Sequence, residues 1–124
     1  MKILIVDDQI ENLELLENIL TEDGYSTTLA QNGAEGVAIA KMEMPGLILM
    51  DIEMPVMNGI DAMKILKSNP LTSHIPIFAC TGLVYDSNVK RLLAAGFDHF
   101  IPKPLDLREF RKTIKNIAQH RQPG

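Results

Sequence analysis

Five short apolar or β-branched segments alternate along this chain with stretches of helical spacing, and this alternation constrains the fold more than any other feature. The strand-like segments are KILIV (2–6), YSTTLA (25–30), LILM (47–50), IPIFAC (75–80) and HFI (99–101). Between them, apolar residues recur three positions apart, as in Ile60, Met63 and Leu66. Strands that alternate with helices predict an α/β fold, doubly wound, with a mostly parallel sheet covered on both faces.

The sequence also predicts which strands lie in the middle of the sheet. Segments 2–6, 47–50 and 75–80 are almost wholly apolar, which suits strands buried on both faces, and the half-polar segment 25–30 suits an edge. At 124 residues the chain is long enough for one domain, which we place at residues 1–120, followed by a short tail at 121–124.

Composition is that of an ordinary soluble globular protein, because 46% of the residues are hydrophobic and 23% are charged. No apolar run approaches the roughly 20 residues of a membrane span. The N-terminal stretch MKILIVDD lacks the longer apolar segment of a signal peptide. We therefore expect a cytoplasmic protein that does not contact a membrane.

Charge is distributed unevenly, with two Lys against twelve acids in residues 1–62 and ten Lys or Arg against four acids in residues 63–124. The basic stretch LREFRKTIKNIAQHR lacks the aromatic interleaving of nucleic-acid binders. We expect it to be a solvated helix or a face that docks a partner, without direct nucleic-acid binding. Cys80 lies in an apolar run and is predicted to be a buried core residue, and the three histidines show no paired metal-ligand spacing.

Polar side chains follow four of the predicted strands at the point where each strand ends. Asp7 and Asp8 follow the first strand, Asp51 the third, Thr81 the fourth and Lys103 the fifth. Open parallel sheets bind ligands beyond the carboxyl ends of their strands, so we expect these side chains to converge. Taken singly, each has a plainer interpretation as a helix cap, turn residue or loop residue, and it is their joint occurrence that indicates a site.

Three carboxylates in one place repel one another unless a cation lies among them. Mg²⁺ suits this set, because it accepts one or two carboxylates together with waters and a phosphate oxygen. We expect Asp8 and Asp51 to be direct ligands and Asp7 to bind through water. The backbone carbonyl of Glu53 is a further candidate ligand.

Asp51 is the best placed of these acids to act as a nucleophile. A carboxylate at the end of an apolar strand is unfavourable unless it binds something or reacts, and a carboxylate can attack phosphorus to form an acyl phosphate. Phosphoryl transfer requires neutralisation of the charge on the phosphoryl oxygens. The metal, Lys103 and the Thr81 hydroxyl would provide it from three directions.

The segments ILIVDD, LILMDIEMPVMNG, ACTG and FIPKPL resemble the motifs of the receiver domains of bacterial response regulators, and the resemblance covers essentially the whole chain. It implies a flavodoxin-like (βα)5 fold with strand order 2-1-3-4-5. By position, it implies that Asp51 is the phosphoacceptor and that Asp7 and Asp8 hold Mg²⁺. It also implies that Thr81 is a switch hydroxyl and that Lys103 binds the phosphate.

The same resemblance implies a cis peptide bond between Lys103 and Pro104 and an aromatic switch at Phe100. When Thr81 moves toward a phosphoryl group, the Phe100 ring can swing inward and change the surface formed by the fourth helix, fifth strand and fifth helix. A static core aromatic is the other interpretation of Phe100. Gly82 stands where the family often has alanine, which implies a looser loop and wider access for water.

The sequence therefore predicts a single-domain response regulator that accepts a phosphoryl group onto Asp51 from a sensor histidine kinase or a histidine phosphotransfer protein. It would be a phosphoacceptor that assists its own phosphorylation and dephosphorylation, and not an enzyme. A downstream protein would bind the face of helix 4, strand 5 and helix 5. We expect the histidine-bearing helices to dock on helix 1, around Ile10 and Leu13–Glu14.

Other functions fit less well. The acids after the first strand would repel the phosphate of a flavin in an electron carrier of similar fold, where amides and hydroxyls are needed. Haloacid-dehalogenase-like phosphatases carry their nucleophile after the first strand. The remaining alternative is a receiver fold that docks partners independently of phosphorylation, which loss of an acid, the Thr or the Lys would favour, and none of these is lost.

Overall fold

The computed structural model of the protein describes residues 1–54, 57–82 and 85–121. The described residues form strands β1 (Lys2–Val6), β2 (Ser26–Ala30), β3 (Leu47–Asp51), β4 (Ile77–Thr81) and β5 (His99–Pro102). Neighbouring strands pair in parallel in the order β2-β1-β3-β4-β5. The predicted fold class and strand order are therefore confirmed.

Burial of the strands follows their sequences. β1, β3 and β4 lie inside the sheet, whereas β2 and β5 form its edges. In β1, Ile3 and Ile5 pack on one face of the sheet and Leu4 and Val6 on the other, because successive side chains of a strand point to opposite faces. A strand that is buried on both faces needs an unbroken apolar run, which is why the central strands were recognisable.

The helices cover both faces of this sheet. The described residues form α1 (Ile10–Glu22), α2 (Gly33–Glu43), α3 (Gly59–Ser68), α4 (Asp86–Ala95) and α5 (Leu107–Arg121). α1 and α5 pack on the face that includes Ile3 and Ile5, and α2, α3 and α4 pack on the other. Each helix contributes an apolar stripe to the core, as Ala62, Met63 and Leu66 do in α3.

The start of α3 packs against the carboxyl end of β3. Asn58 caps the helix, because its Oδ1 accepts a hydrogen bond from the backbone N–H of Asp61 at 3.0 Å. The next residue, Gly59, lies so close to β3 that a Cβ there would overlap the carbonyl oxygen of Asp51. Only glycine allows this approach, which fixes the backbone around Asp51.

α5 packs on the sheet through Phe110 and Ile114. It continues through Arg121, the first residue of the predicted tail, and residues 122–124 lie outside the described residues. In the described ranges, no helix combines the length and the apolar character that crossing a bilayer requires.

Candidate functional site

Three carboxylates meet at the carboxyl ends of β1 and β3. These strands pair side by side with Val6 opposite Met50, so Asp7, directly after β1, lies beside Asp51, the last residue of β3. One oxygen from each of Asp7, Asp8 and Asp51 lies within 4.8 Å of the other two. The strand order reverses here, because β2 lies on one side of β1 and β3 on the other, and open sheets bind ligands at such a point.

Asp51 is nearly buried, with 6% of the residue exposed. Its Oδ1 accepts a hydrogen bond from Lys103 Nζ at 3.1 Å, and the backbone N–H of Glu53 also donates to the carboxylate. Burial first, and then the negative charge of Asp7, raise the pKa of Asp51 to about 6, although Lys103 and the Glu53 hydrogen bond oppose this. The carboxylate is therefore ionised at neutral pH but takes up a proton more readily than an exposed aspartate.

Lys103 reaches the acids from the loop after β5. Its backbone N–H donates to the carbonyl oxygen of Thr81 at 2.9 Å, and its peptide bond to Pro104 is cis, the geometry that the sequence resemblance implies. Lys103 Nζ lies 3.1 Å from Asp51 Oδ1 and 3.5 Å from Asp7 Oδ2. Burial alone would lower the pKa of Lys103, but the charges of Asp51 and Asp7 outweigh it and raise that pKa, so the ammonium stays charged.

Asp7 is held by two residues that the sequence did not single out. It is 3% exposed, and its Oδ1 accepts the backbone N–H of Gln9 at 2.9 Å, while its Oδ2 accepts the Nδ2 of Asn12 at 3.2 Å. Neither residue is charged or ends a strand. The only signal in the sequence is a spacing of five residues, which places Asn12 in the first turn of α1, next to the acid that precedes the helix.

The two predicted switch residues lie on neighbouring strands. Thr81, the last residue of β4, is 4% exposed, and the residue before it, Cys80, pairs with Asp51. Phe100, on β5, is half-buried and packs against the apolar core beneath α2, α3 and α4. Thr81 therefore belongs to the same end of the sheet as the acids, whereas Phe100 lies within the strand that leads to Lys103.

The donor set fits a hard divalent cation. Asp7, Asp8 and Asp51 can each turn a carboxylate oxygen toward one ion, and oxygen atoms are the ligands that Mg²⁺ prefers. Asp8 and Glu53 are exposed, so this side of the cluster is open to water and to a further ligand. The predicted site residues are thus brought together, with Phe100 as the exception.

Cys80 is a core residue, as predicted. It is 6% exposed, in the apolar cluster beneath α1 and α5, and burial raises the pKa of its thiol to about 12. Such a thiol stays protonated at neutral pH and is a poor nucleophile. Among the described residues, His74 and His99 belong to no cluster of metal-ligating side chains, and the side chain of His120 lies outside the described part of the chain.

The surface of α1 corrects one prediction. Leu13, expected on an exposed docking surface, is 3% exposed and packs in the core beneath α1 and α5. Ile10 and Leu15 are 54% and 50% exposed, and Glu14 is also exposed. The expectation is therefore wrong for Leu13, and the apolar side chains that α1 offers to a partner are Ile10 and Leu15.

Comparison with known proteins agrees with this geometry. The chain matches the family described as response regulator receiver domain over residues 3–115. The polar-differentiation response regulator DivK of Brucella anthropi is 33% identical over 114 residues, which are 92% of this chain and 93% of that protein.

Solved structures extend the comparison to three dimensions. The receiver domain of a signal transduction histidine kinase from Syntrophus aciditrophicus matches with a TM-score of 0.89 and 34% identity, over 99% of this chain and 93% of that one. The receiver domain of the sensor histidine kinase PA1611 from Pseudomonas aeruginosa PAO1 has a magnesium ion coordinated in its active site cleft, and it matches with a TM-score of 0.86 and 28% identity, over 94% and 97% of the two chains. With its sheet order, its acid cluster and a family match over most of its length, this chain is a member of the response regulator receiver domain family.

Proposed function

We propose that this protein is a phosphoacceptor that takes a phosphoryl group from a phosphohistidine donor onto Asp51, with Mg²⁺ bound, and signals through protein contacts that depend on phosphorylation. The observation that carries the proposal is the position of the Asp51 carboxylate. It lies 3.1 Å from the Lys103 ammonium, and one of its oxygens lies within 4.8 Å of an oxygen of Asp7 and of Asp8. An anionic nucleophile, a cation for phosphoryl oxygens and a metal-binding acid set are the parts that phosphoryl transfer requires.

In the proposed step, an oxygen of Asp51 attacks the phosphorus of the donor. An O–P bond forms while the N–P bond breaks, and the donor imidazole leaves with the bonding electrons and takes up a proton. In a separate hydrolysis step, water attacks the same phosphorus and the bond between the phosphorus and the Asp51 oxygen breaks. The Asp51 carboxylate leaves with the bonding electrons, the water gives up a proton to solvent, and inorganic phosphate is released. The protein would thus assist its own phosphorylation and dephosphorylation, and it would not turn over a separate substrate as an enzyme does.

The surrounding residues have distinct roles in this proposal. Bound Mg²⁺ would supply positive charge to the phosphoryl oxygens, held by Asp8 and Asp51, by Asp7 through water and by the carbonyl of Glu53. Lys103 would exchange its contact with Asp51 for one with a phosphoryl oxygen. The Thr81 hydroxyl would donate to another, since β4 lies beside β3.

The upstream partner, a sensor histidine kinase or a histidine phosphotransfer protein, would dock on α1. Support comes from the exposed side chains of Ile10 and Leu15. A cavity of about 230 Å³, lined in part by Leu15, Pro104 and Leu105, also borders Asp7 and Lys103. An apolar surface that continues to the reacting groups is suited to a partner that must bring its own histidine close to them.

The downstream partner would bind the face formed by α4, β5 and α5. Thr81 would move toward the phosphoryl group, and the ring of Phe100 would pack more deeply into the space that this opens. Phe100 is half-buried and has no hydroxyl, so packing alone would set its position. The change at the site would then alter the surface near β5.

The proposal is tested by measuring the intact mass of the protein after incubation with acetyl phosphate, with Mg²⁺ or with EDTA. We expect a gain of one phosphoryl group that requires Mg²⁺ and is lost in Asp51→Asn. Asp61→Asn, which changes an exposed aspartate in the first turn of α3, is the control and should keep the gain. If the folded wild-type protein gains no mass from either acetyl phosphate or a phosphorylated histidine phosphotransfer protein, a docking module independent of phosphorylation becomes the function.

A further inference from the structure

Asn12 lies between the acid cluster and the start of α1. Its Nδ2 donates to Asp7 Oδ2 at 3.2 Å and to the side-chain oxygen of Gln9 at 3.1 Å. The side chain is half-buried. Gln9 is the cap residue directly before α1, and its side chain makes no capping hydrogen bond to a backbone N–H. The side chain of Asn12 therefore connects the start of the helix to Asp7.

The hydrogen bonds of Asp7 define the orientation of its carboxylate. Oδ1 accepts the backbone N–H of Gln9 at 2.9 Å, and Oδ2 accepts Asn12 while lying 3.5 Å from Lys103 Nζ. With 3% of Asp7 exposed, water has little access to take the place of a lost donor. Removing Asn12 would leave Oδ2 with the distant Lys103 ammonium as its remaining described partner.

Lys103 is a poor permanent support for Asp7, because it is shared with Asp51 at the shorter distance of 3.1 Å. In the proposed function, on which this inference rests, Lys103 turns toward a phosphoryl oxygen during transfer. The neutral amide of Asn12 does not compete for that phosphoryl group as a cation would. It can therefore hold Asp7 in one orientation before, during and after the transfer.

We propose that Asn12 is a positioning residue that sets the affinity of the site for Mg²⁺ by fixing the carboxylate of Asp7. Side chains that hydrogen-bond a metal ligand hold it in the geometry that the ion requires, and losing one typically weakens metal binding about 10- to 100-fold. Asp7 binds through water in this scheme, so we expect a loss at the lower end, about tenfold.

The test is the affinity of the full chain for Mg²⁺, measured by isothermal titration calorimetry in the wild type, Asn12→Leu and Asn12→Ala. Leucine keeps a branched side chain but donates no hydrogen bond, and the neighbouring cavity wall includes Leu16 and Leu105, so it has apolar contacts there. Asn18→Leu, on the same helix but with an exposed side chain, is the matched control. Urea unfolding in EDTA measures the stability of each variant without metal.

We expect both Asn12 variants to bind Mg²⁺ about tenfold more weakly, while Asn18→Leu binds as the wild type does. The Mg²⁺ concentration for half-maximal phosphorylation by acetyl phosphate should rise by the same factor, and the rate at saturating Mg²⁺ should be retained. A merely structural defect would lower that rate at every concentration. Wild-type affinity in both Asn12 variants would overturn the inference alone, whereas a wild-type chain that binds no Mg²⁺ would overturn the proposed function and the inference with it.

Discussion

Asp51 links the stability of the metal-free protein to pH in the acidic range. Its pKa is about 6 in the folded protein, against 3.8 for an unperturbed aspartate. Because the folded state binds this proton more tightly than the unfolded state, the Asp51 contribution to the free energy of unfolding falls as pH rises from about 4 to about 6. We expect Asp51→Asn to raise the free energy of unfolding at pH 7 by on the order of 1 to 3 kcal/mol, and to change it little below pH 4.

Urea unfolding of the wild type and Asp51→Asn in EDTA, at pH values from 4 to 7, measures this difference. Asp61→Asn is again the control, because that aspartate is exposed. A stabilisation that does not depend on pH would contradict the explanation by burial and charge. Adding Mg²⁺ at pH 7 should reverse the order of stabilities, since an ion that binds only the folded state stabilises it.

Gly59, at the start of α3, and Gly82, on the loop after β4, form a matched pair beside the site. A Cβ on Gly59 would overlap the carbonyl oxygen of Asp51, whereas a Cβ on Gly82 would meet, among the described residues, only the carbonyl oxygen of Lys103, at 3.9 Å. We expect Gly59→Ala to lower the free energy of unfolding by about 1 to 3 kcal/mol through overpacking. Gly82→Ala should raise it by about 0.4 to 1 kcal/mol, because alanine restricts the unfolded chain.

Urea unfolding measures both glycine variants, and the rate of mass loss after phosphorylation measures the lifetime of the acyl phosphate. A methyl group on the loop after Thr81 should narrow the access of water, so the phosphorylated form of Gly82→Ala should persist longer than that of the wild type. Equal destabilisation by the two substitutions would show that the space around the glycines does not decide the result.

The sequence predicts well the site residues that end or directly follow a strand, Thr81 among them, and predicts poorly the uncharged residues that hold them in place. Asp7, Asp51 and Lys103 could be found because each follows a recognisable strand, and a parallel sheet brings strand ends together. Asn12 could not, because its role depends on how its side chain and that of Asp7 are oriented within the fold. A polar residue in the first turn of a helix is too common to indicate such a contact.

At the level of elements, α1 shows where periodicity stops being informative. Ile10 and Leu13 are three positions apart and share a helix face, yet one is 54% exposed and the other 3%. Ile10 is the first residue of the helix, at the end of the sheet where the acids lie, and Leu13 is one turn further along, over the sheet. The helical period gives the direction of a side chain, but not how far the sheet extends beneath it.

This difference predicts opposite effects of two alanine substitutions on α1. Leu13→Ala should lower the free energy of unfolding by about 2 to 5 kcal/mol, because it leaves a cavity in the core. Ile10→Ala should change it by no more than about 0.5 kcal/mol, and should slow phosphoryl transfer from a phosphorylated histidine phosphotransfer protein. Urea unfolding and the rate of transfer measured by intact mass distinguish the two.

Acetyl phosphate provides the comparison for Ile10→Ala, because a small donor needs no docking surface. The variant should accept a phosphoryl group from acetyl phosphate at the wild-type rate. If Ile10→Ala slows both donors equally, Ile10 acts on the site itself and not on a partner.

For the molecule as a whole, the residues predicted the architecture, but the resemblance to a family was needed for the complete strand order. The apolar runs of β1, β3 and β4 place those strands inside the sheet, and the half-polar β2 indicates an edge. The short, largely apolar segment HFI does not say whether β5 is an edge strand, because its four observed residues, His99–Pro102, are too few to show a pattern. The structure places β5 at the edge opposite β2.

The strand order makes the molecule asymmetric around its site. Thr81 and Lys103 connect the site to β4 and β5, through the hydrogen bond between the Lys103 N–H and the Thr81 carbonyl oxygen at 2.9 Å. Phe100 pairs with Ala79, two residues before Thr81 on the neighbouring strand. β2 is connected to the site only indirectly in the described contacts, through the hydrogen bond from the Asp7 N–H to the Ala30 carbonyl oxygen at 3.1 Å, because β1 separates it from Asp51. A change at the phosphoryl group should therefore affect the β5 edge more than the β2 edge.

This asymmetry predicts which strand changes on phosphorylation and which residue transmits the change. In the wild type, phosphorylation with Mg²⁺ should shift the backbone amide NMR signals of His99, Phe100 and Ile101 far more than those of Ser26–Ala30. Thr81→Ala should still accept a phosphoryl group, because Asp51 and Lys103 remain, but the shifts in β5 should be largely lost. Shifts in β5 that persist in phosphorylated Thr81→Ala would mean that Lys103 alone transmits the change. The hydrogen bond from the backbone N–H of Lys103 to the carbonyl oxygen of residue 81 does not depend on the threonine hydroxyl.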